Sequence, residues 1–272
     1  MRLLRNNPSL LLGLLILGAL VLMALLAPWL APRSPTDIEL PAKLLPPSST
    51  HWFGADDLGR DVFSRVVYGA RISLLSGSMV VLIAMSIGVL LGLLAGYWGG
   101  AIDNVIMRLS DVFVSFPRLV LAMVIAAALG PGLFNGMIAV ALSWWPWYAR
   151  IVRSQILSLK QEEFMTAATA VGVGHTRILS RHLLPNITGV VAVQMSLDLG
   201  YAILFTASLG FIGLGAQPPS PEWGSMIAQG RTYILTHWWY PTFPGLAIFF
   251  AVLGANLFGD ALRDILDPRL RK

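Results

Sequence analysis

The feature that most limits what this chain can fold into is a set of long apolar runs without any charged residue. The first covers residues 6–32, and a later one covers residues 119–149. A helix needs about 20 apolar residues to cross the hydrocarbon core of a bilayer. Charged residues make up only 12% of the chain, whereas about 25% is usual for a soluble domain. The sequence therefore predicts an all-α membrane protein.

Turn-forming residues divide these runs into six predicted spans. Prolines close the first run, a Gly-Gly pair at 99–100 ends the second, and a Gly-Pro-Gly turn at 130–132 separates the third from the fourth. The aromatic stretch 143–148 is predicted to lie in an interfacial belt. Together the spans form a single transmembrane domain over residues 1–272. They cover about residues 9–30, 72–97, 112–130, 133–153, 187–209 and 241–258.

Two segments between the spans are polar but keep aromatic and apolar residues. They cover residues 33–70 and 210–240, and both are predicted to be ordered external segments. Within the first, residues 61–70 mix apolar and basic side chains, which predicts a separate amphipathic helix near the interface. Within span 2, glycines recur at a spacing of four residues, so that a neighbouring helix can pack closely there. These glycines are Gly88, Gly92 and Gly96.

The distribution of lysine and arginine predicts the orientation. With six spans and an internal N-terminus, 13 of the 19 Lys and Arg residues fall in cytoplasmic segments, in agreement with the excess of basic residues on the inner side of membrane proteins. Both termini and the loop 160–186 are then cytoplasmic. The first apolar run is longer than the 7–15 residues that are usual in a cleaved signal peptide, which favours an uncleaved first span.

No motif indicates a catalytic, metal or nucleic-acid site. The chain lacks a P-loop, an H-E-x-x-H motif and a G-x-S-x-G motif. Its four histidines are scattered and cysteine is absent, so neither a metal site nor a disulfide is expected. The basic residues do not form a face with interleaved aromatic residues, which argues against nucleic acid. A protein of this kind that moves a solute uphill would need energy from a partner or an ion gradient.

A polar loop at residues 163–186 interrupts the apolar pattern. Its spacing predicts two short helices, about 161–171 and 175–184, with a glycine turn at Gly172. Pro185 cannot donate a backbone hydrogen bond, so it is predicted to break the second helix or to begin a new one. Small side chains allow close approach by another protein, and basic residues surround them, which predicts a cytoplasmic docking element. The basic residues are Arg150, Arg153, Lys160, Arg177 and Arg181.

Asp198 is the one carboxylate within a predicted span. A charge at membrane depth is costly, so its side chain should face protein or water. Two interpretations are open. The carboxylate lines a solute path, or it makes a structural hydrogen bond to a neighbouring helix.

The polar loop resembles the EAA loop of permease subunits of bacterial ABC importers. That loop has the pattern Glu-Ala-Ala, three residues, Gly, and a later Leu-Pro. Threonine replaces the glutamate here, and Glu163 could supply a nearby acid. The matching positions are Thr166, Ala167, Ala168, Gly172, Leu184 and Pro185.

Longer stretches resemble the C-type permease subunit of dipeptide, oligopeptide and nickel importers. They are HWFGADDLGRDVFSRVVYGARISL (51–74), GFIGLGAQPPSPEWGSMI (210–227), and FPGLAI with NLFGDALRDILDPRL within 243–270. The resemblance implies a MetI-like fold with six spans in the bacterial cytoplasmic membrane. It implies a homologous second permease, two cytoplasmic ATPase subunits and an extracytoplasmic solute-binding protein as partners. ATP and Mg would be bound by the ATPases, and no cofactor is expected on this chain.

In that family the EAA helices sit in clefts of the ATPases, so the resemblance implies that this loop couples their movement to the spans. The contact surface is predicted at Ala167, Ala168 and Gly172. The external segments would meet the binding protein or shape the outer mouth. For Asp56, Asp57, Glu222 and Trp223, local capping and packing are equally open interpretations. The coupling residues that the resemblance implies are Glu163, Phe164, Thr166, Ala167, Ala168, Val171, Gly172, Leu184 and Pro185.

The leading hypothesis is a permease subunit that forms half of the path of an ATP-driven importer for di- or oligopeptides or a similar small solute. A nickel or metal-chelate importer is the alternative within the same class. A different class, an ion-coupled secondary transporter with Asp198 as the coupling acid, would also explain the absence of a P-loop. It would not explain the Ala-Ala, Gly and Leu-Pro positions of the loop.

Overall fold

The computed structural model describes residues 8–266, and eleven α-helices lie within them. The prediction of an all-helical protein is confirmed. Short 3-10 turns lie at Leu40–Ala42 and Arg231–Tyr233, and a π-helical segment lies at Ile178–Leu183. The terminal residues 1–7 and 267–272, whose basic side chains support the predicted orientation, lie outside the described residues. The helices are α1 (Pro8–Leu25), α2 (Ala27–Leu30), α3 (Val62–Trp98), α4 (Gly100–Val114), α5 (Arg118–Leu129), α6 (Leu133–Leu159), α7 (Glu163–Ala170), α8 (His175–Arg177), α9 (Leu184–Ile212), α10 (Trp223–Gly230) and α11 (Trp239–Leu266).

Four helical stretches in the described part of the chain are long and apolar enough to cross a membrane. They are α1, α3, the continuous stretch His175–Ile212, and α11, which correspond to predicted spans 1, 2, 5 and 6. Predicted span 3 falls on α4 and α5, which together pass the same test but meet at an angle of 94°. The ring of Pro117 disfavours helical geometry at the preceding residue, which accounts for the break. Predicted span 4 falls on α6, which is not among these candidate spans. Its 27 residues include polar and basic side chains, which lower its mean hydropathy.

The helix α3 runs without a break for 37 residues from Val62 to Trp98. The predicted helix at residues 61–70 is present from Val62 onward, but it is the first part of α3 and continues directly into predicted span 2. Its place near a membrane interface stays a prediction. No proline interrupts this stretch, and Asp61 caps its start by accepting a hydrogen bond from the Ser64 N–H at 2.8 Å. The polar side chains that suggested an interfacial helix are buried by other parts of the protein. Arg65, for example, donates to the carbonyl of Pro35 at 2.9 Å.

The glycine strip of α3 packs directly against α6, as its spacing predicts. A Cβ atom added to Gly92 would lie 2.6 Å from the carbonyl oxygen of Ala149, and one added to Gly96 would lie 2.8 Å from Cβ of Ile156. Contacts this short do not occur between real side chains, so only glycine permits this separation of the two helices. This seam joins α3 rigidly to the helix that leads into the polar loop.

Three hydrophobic clusters follow one another along α3. The first contains Val62 and Val66 together with Trp223 of α10, and the second contains Val80 and Ala84. The third includes the end of α3 and the polar loop that follows α6. The packed interior therefore continues from one end of the helical bundle into the predicted docking element at the other.

The two predicted external segments are ordered and pack on each other. We call residues 31–61 and 213–238 the polar cap. The Arg60 guanidinium donates to the amide oxygen of Gln229 at 3.2 Å and so joins the two segments. The cap also binds the long helices, since the Trp223 indole donates to the carbonyl of Val66 in α3 at 3.0 Å, and the Trp239 indole of α11 donates to that of Ala55 at 3.3 Å. Arg60 donates to Asp56 at 2.6 Å, and both side chains are buried. A short isolated bridge between Ala55 and Asp61 closes the turn that carries this ion pair.

Candidate coupling surface and membrane cleft

The polar loop folds into two helical pieces that are joined by a glycine turn. The first is α7, and Gly172 follows it with a φ of 74°. The Gly172 N–H donates to the carbonyl of Thr169 at 3.0 Å, and the Val173 N–H donates to that of Ala168 at 3.1 Å. This bond pattern is the Schellman motif, which requires a left-handed residue that glycine adopts without strain. The predicted turn at Gly172 is therefore present.

The second piece continues into the membrane helix without a break. The stretch His175–Ile212 is helical throughout, with Pro185 in the first turn of α9. The prediction that Pro185 stops the helix is wrong, whereas the prediction of a helix start at this point agrees with its position in α9. The π-helical segment Ile178–Leu183 lies directly before it, and a shift of the hydrogen-bond pattern accommodates a residue without an N–H. A stiff helical connection therefore links the loop to α9.

We call residues 163–183, which are α7, the glycine turn and the helical piece after it, the coupling pair. One side of it is buried against α6 and α9. Met165 and Ala168 are only 4% and 7% exposed, and Met165 belongs to the same cluster as Ile156 and Ile187. Ala168 is therefore buried within this chain, and its place in the contact surface stays a prediction. Met165 and Ala168 are three residues apart and share the inner face of α7, so Ala168 supports the outer surface from behind.

The side of α7 next to this inner face carries an exposed apolar stripe, which ends at the C-cap residue Val171. Phe164 is 39% exposed and Val171 is 79% exposed, and Ala167 between them is exposed as well. Positions i, i+3 and i+7 lie on one face of a helix, so these three residues form a single strip. The remaining predicted residues Glu163, Thr166, Gly172, Leu184 and Pro185 are exposed around it.

Polar contacts from the end of α3 hold the base of the coupling pair. The Tyr97 hydroxyl lies 2.6 Å from Nδ1 of His175, and the Lys160 ammonium donates to the carbonyl of Tyr97 at 2.8 Å. Sequence reasoning missed Tyr97 because it lies 78 positions from His175, and no local pattern connects the two. These bonds fix the pair to the same helix that the glycine strip joins to α6.

Two of the five basic residues predicted near the docking element serve another purpose. Arg153 donates to Asp103 of α4 at 2.6 Å, and Arg150 donates to Asp111 at 2.6 Å. These ion pairs attach α4 to α6. Lys160 binds backbone carbonyls, so only Arg177 and Arg181 remain as exposed cations on the coupling pair itself.

A second candidate site is an open cleft of about 660 Å³ between α5, α6, α9 and α11. We call it the Asp198 cleft. Trp144 and Trp145 are buried, so the prediction of an interfacial belt at residues 143–148 does not describe these two side chains. The lining residues are Arg118, Trp144, Trp147, Gln194, Leu197, Asp198, Tyr201, Phe205, Asn256 and Asp260.

Asp198 is only 5% exposed. Its Oδ1 accepts a hydrogen bond from the Gln194 amide at 3.1 Å, and its Oδ2 has no hydrogen-bond partner among the described residues. The Tyr148 hydroxyl and the Trp144 indole lie beside this carboxylate, but both are outside hydrogen-bond geometry. The guanidinium of Arg118 lies over the rings of Trp144 and Trp147, at 5.2 and 5.1 Å from their centroids.

The acids of the polar cap that the sequence left open are capping and packing residues. The two carboxylate oxygens of Glu222 accept from the N–H groups of Gly224 and Ser225, both at 2.8 Å, and so cap α10. Burial raises the pKa of this carboxyl to about 7. Asp57 accepts a hydrogen bond from the Tyr240 hydroxyl at 2.9 Å. No group of three or more His, Asp or Glu side chains that could hold a metal ion occurs in residues 8–266.

Two family models match the chain. The model described as the binding-protein-dependent transport system inner membrane component matches residues 88–272. The model described as the N-terminal TM domain of oligopeptide transport permease C matches residues 1–47. Between them they include both ends of the chain and the whole of the coupling pair and the cleft.

Several relatives match along nearly the whole chain. A probable D,D-dipeptide transport system permease protein from Escherichia coli K12 is 50% identical and covers 98% of this chain and 89% of the relative. A dipeptide transport system permease protein from Alkalihalophilus pseudofirmus is 46% identical, with coverage of 98% and 88%. A nickel transport system permease protein from E. coli K12 is 44% identical, with coverage of 95% and 94%.

The fold matches that of a chain in inward-facing structures of the MetNI methionine ABC transporter. One match has a TM-score of 0.57 at 18% identity and covers 74% of this chain and 94% of that chain. A second crystal form gives a TM-score of 0.52 at 19% identity. The prediction of a MetI-like fold is therefore confirmed.

Proposed function

The chain belongs to the family of binding-protein-dependent transport system inner membrane components, and on this premise we propose that it forms half of the translocation path of an ATP-driven importer for short peptides. The observation that carries the peptide assignment is the 50% identity to a D,D-dipeptide permease over 98% of the chain. In an importer of this family the ATP-binding sites lie on other subunits, which explains why this chain has no P-loop. An ion-coupled secondary transporter is then not needed to explain it.

The proposed assembly contains a homologous second permease, two cytoplasmic ATPase subunits and an extracytoplasmic solute-binding protein. ATP and Mg are bound by the ATPases, and this chain contributes no catalytic residue. Both termini and the coupling pair face the cytoplasm, and the polar cap faces the opposite side, in the inner membrane of a bacterium. The distribution of basic residues supports this orientation.

The coupling pair is the proposed contact with the ATPases. Its exposed strip of Phe164, Ala167 and Val171 offers an apolar surface with one small residue at its centre. Its inner face is packed on α6 and α9, so that a movement of the ATPase is passed to both helices as a rigid-body displacement. A loosely attached loop would absorb such a displacement.

A nickel or metal-chelate importer is the second candidate, because a nickel permease is 44% identical over 95% of the chain. An uptake assay separates the two. Cells that lack their own peptide and nickel importers receive this chain together with its genetic neighbours for the other subunits. Import of a labelled dipeptide that depends on this chain supports the proposal, whereas import of labelled nickel without dipeptide import would replace it with the alternative.

A further inference from the structure

The Asp198 cleft combines charges of both signs with aromatic walls. Asp198 and Asp260 lie on α9 and α11, and Arg118 lies on α5. The Asp198 side chain is only 5% exposed, yet its Oδ2 accepts no hydrogen bond from the described residues. A buried carboxylate oxygen without a partner is energetically unfavourable. Oδ2 itself is closed off beside the Tyr148 hydroxyl and the Trp144 indole, but a cation in the cleft would offset the cost of burying the charge of this carboxylate.

We propose that the Asp198 cleft is a transit site for the cationic amino group of the transported solute, with the charged carboxylate of Asp198 as the group that attracts it. The exposed carboxylate of Asp260 lies on the same cleft and adds negative charge at its edge. This inference rests on the proposed import function, because a solute meets a carboxylate at membrane depth only if it passes through the bundle.

Arg118 makes a short peptide a better match than a simple amine. Its guanidinium stacks on two tryptophan rings, and it forms no ion pair within residues 8–266. A cation that shares the cleft with two carboxylates suits a zwitterion, which carries an ammonium group at one end and a carboxylate at the other. Trp147, Tyr201 and Phe205 supply apolar contact area for the part between.

The same charges disfavour a bare divalent cation. The guanidinium of Arg118 repels a metal ion. The Gln194 amide directs its N–H, and not its oxygen, at Asp198. The cleft therefore offers fewer oxygen ligands than the six or more that a hard cation prefers. A metal ion in the cleft would also lack imidazole ligands, since no histidine lines it. We therefore assign the site to an ammonium group and treat a metal ion as an outcome of the test.

The absence of cysteine from the chain allows a direct measurement of the charge in the cleft. A Tyr201→Cys variant places one thiol on the exposed side chain three residues after Asp198. In the assembled importer, a cationic methanethiosulfonate reagent is expected to label this chain about thirtyfold faster than an anionic one, because one unit charge at about 4 Å in water changes each of the two rates about fivefold in opposite directions. Addition of Asp198→Asn should bring the two rates close together.

An Asp264→Asn substitution is the matched control, because Asp264 is exposed on α11 and does not line the cleft. It should leave the ratio of the two labelling rates unchanged. Equal rates with the two reagents, or a ratio that Asp198→Asn does not alter, would overturn the inference. Asp198 would then be a structural group that is bound to Tyr148 and Trp144.

A ligand experiment tests the chemistry of the occupant. During ATP turnover, the dipeptide Ala-Ala should slow the labelling of the Tyr201→Cys variant at least threefold, and Asp198→Asn should abolish this protection. N-acetylated Ala-Ala, which lacks the ammonium group, should not protect. Protection by nickel chloride without protection by Ala-Ala would overturn the inference.

Transport separates this inference from the proposed function. Asp198→Asn is expected to lower Ala-Ala uptake at least tenfold, while assembly and the ATPase activity stimulated by the binding protein stay within twofold of the wild type. If the wild type imports Ala-Ala and the Asp198→Asn variant imports it equally well, this inference alone fails. If the wild type imports nickel and no dipeptide, the proposed function fails as well.

Discussion

The polar cap and the coupling pair are both polar segments between membrane helices, yet they are built in opposite ways. In the cap, charged and aromatic side chains are buried and bonded within the chain, as Trp223, Glu222 and Asp56 are. In the coupling pair, small and apolar side chains point outward, and only one face is packed. The cap forms most of its polar interactions within the chain, whereas the pair leaves an apolar strip exposed.

The largest expected effect is the loss of stability when the packing of the polar cap is disrupted. Trp223→Ala removes one of the largest fully buried side chains and its bond to Val66, and should lower the free energy of unfolding by about 3–5 kcal/mol. Thermal unfolding in detergent measures this loss. Trp52→Ala is the matched control, because Trp52 is 57% exposed in the other segment of the cap and contacts the ring of Phe63, and it should cost only about 1 kcal/mol. Equal losses would show that the cap is not packed as described.

A glycine pair tests the geometry of the coupling pair. Gly172→Val places a β-branched residue at a φ of 74° and should destabilise the turn by about 1–2 kcal/mol. No atom lies within 4 Å of the added Cβ, so membrane insertion should persist while transport falls. Gly174→Val is the control, since Gly174 has a φ of −64° and also has open space around it. Normal uptake with Gly172→Val would contradict the proposed coupling role.

A charge on the exposed strip separates contact from stability. Val171→Asp should leave the thermal stability of the isolated permease within about 0.5 kcal/mol, because the side chain is 79% exposed. It should weaken ATPase association about tenfold, since a buried unpaired charge in an interface costs more than 1.4 kcal/mol. Co-purification with the ATPase subunits at varied concentration measures this change. Unaltered association would place the docking surface elsewhere.

The smallest expected effect is a pH dependence of the cap. The pKa of Glu222 is raised to about 7 from 4.5, so the folded state binds the proton more tightly than the unfolded state. Its contribution is full below pH 4.5 and is lost as pH rises through 7, which makes the protein about 1 kcal/mol more stable at pH 6 than at pH 8. Unfolding at both pH values measures this difference. Glu222→Gln should remove it, and Glu162→Gln on the exposed loop should not.

The pattern of the chain predicted much of the coupling pair because its determinants are local. A left-handed turn at Gly172 and the helix of Glu163–Ala170 depend on residues within a few positions. The sequence pattern did not predict which of these side chains face outward and which are buried. Ala167 and Ala168 are neighbours in a small-residue motif, but one faces outward and the other packs inward, since the position of α6 and α9 decides which face is covered.

The polar cap and the Asp198 cleft depend on contacts between distant parts of the chain. Residues 61–70 suggested an interfacial helix, because their polar side chains had no visible partner in the sequence. The structure supplies partners for Arg65 from the carbonyls of Pro35 and of Pro219, which lies in the segment before α10. Likewise, Arg118, Trp144 and Asp260 share no local pattern with Asp198, and they meet only because four helices converge there.

The sequence alone determined that this protein is helical and embedded in a membrane, because uncharged apolar runs leave no other way to satisfy the backbone. It also determined the family, through the loop motif and the longer matching stretches. The tertiary structure decided which polar residues are bound within the chain and which remain available. That decision depends on burial and on long-range partners, and neither can be read from the spacing of residues along the chain.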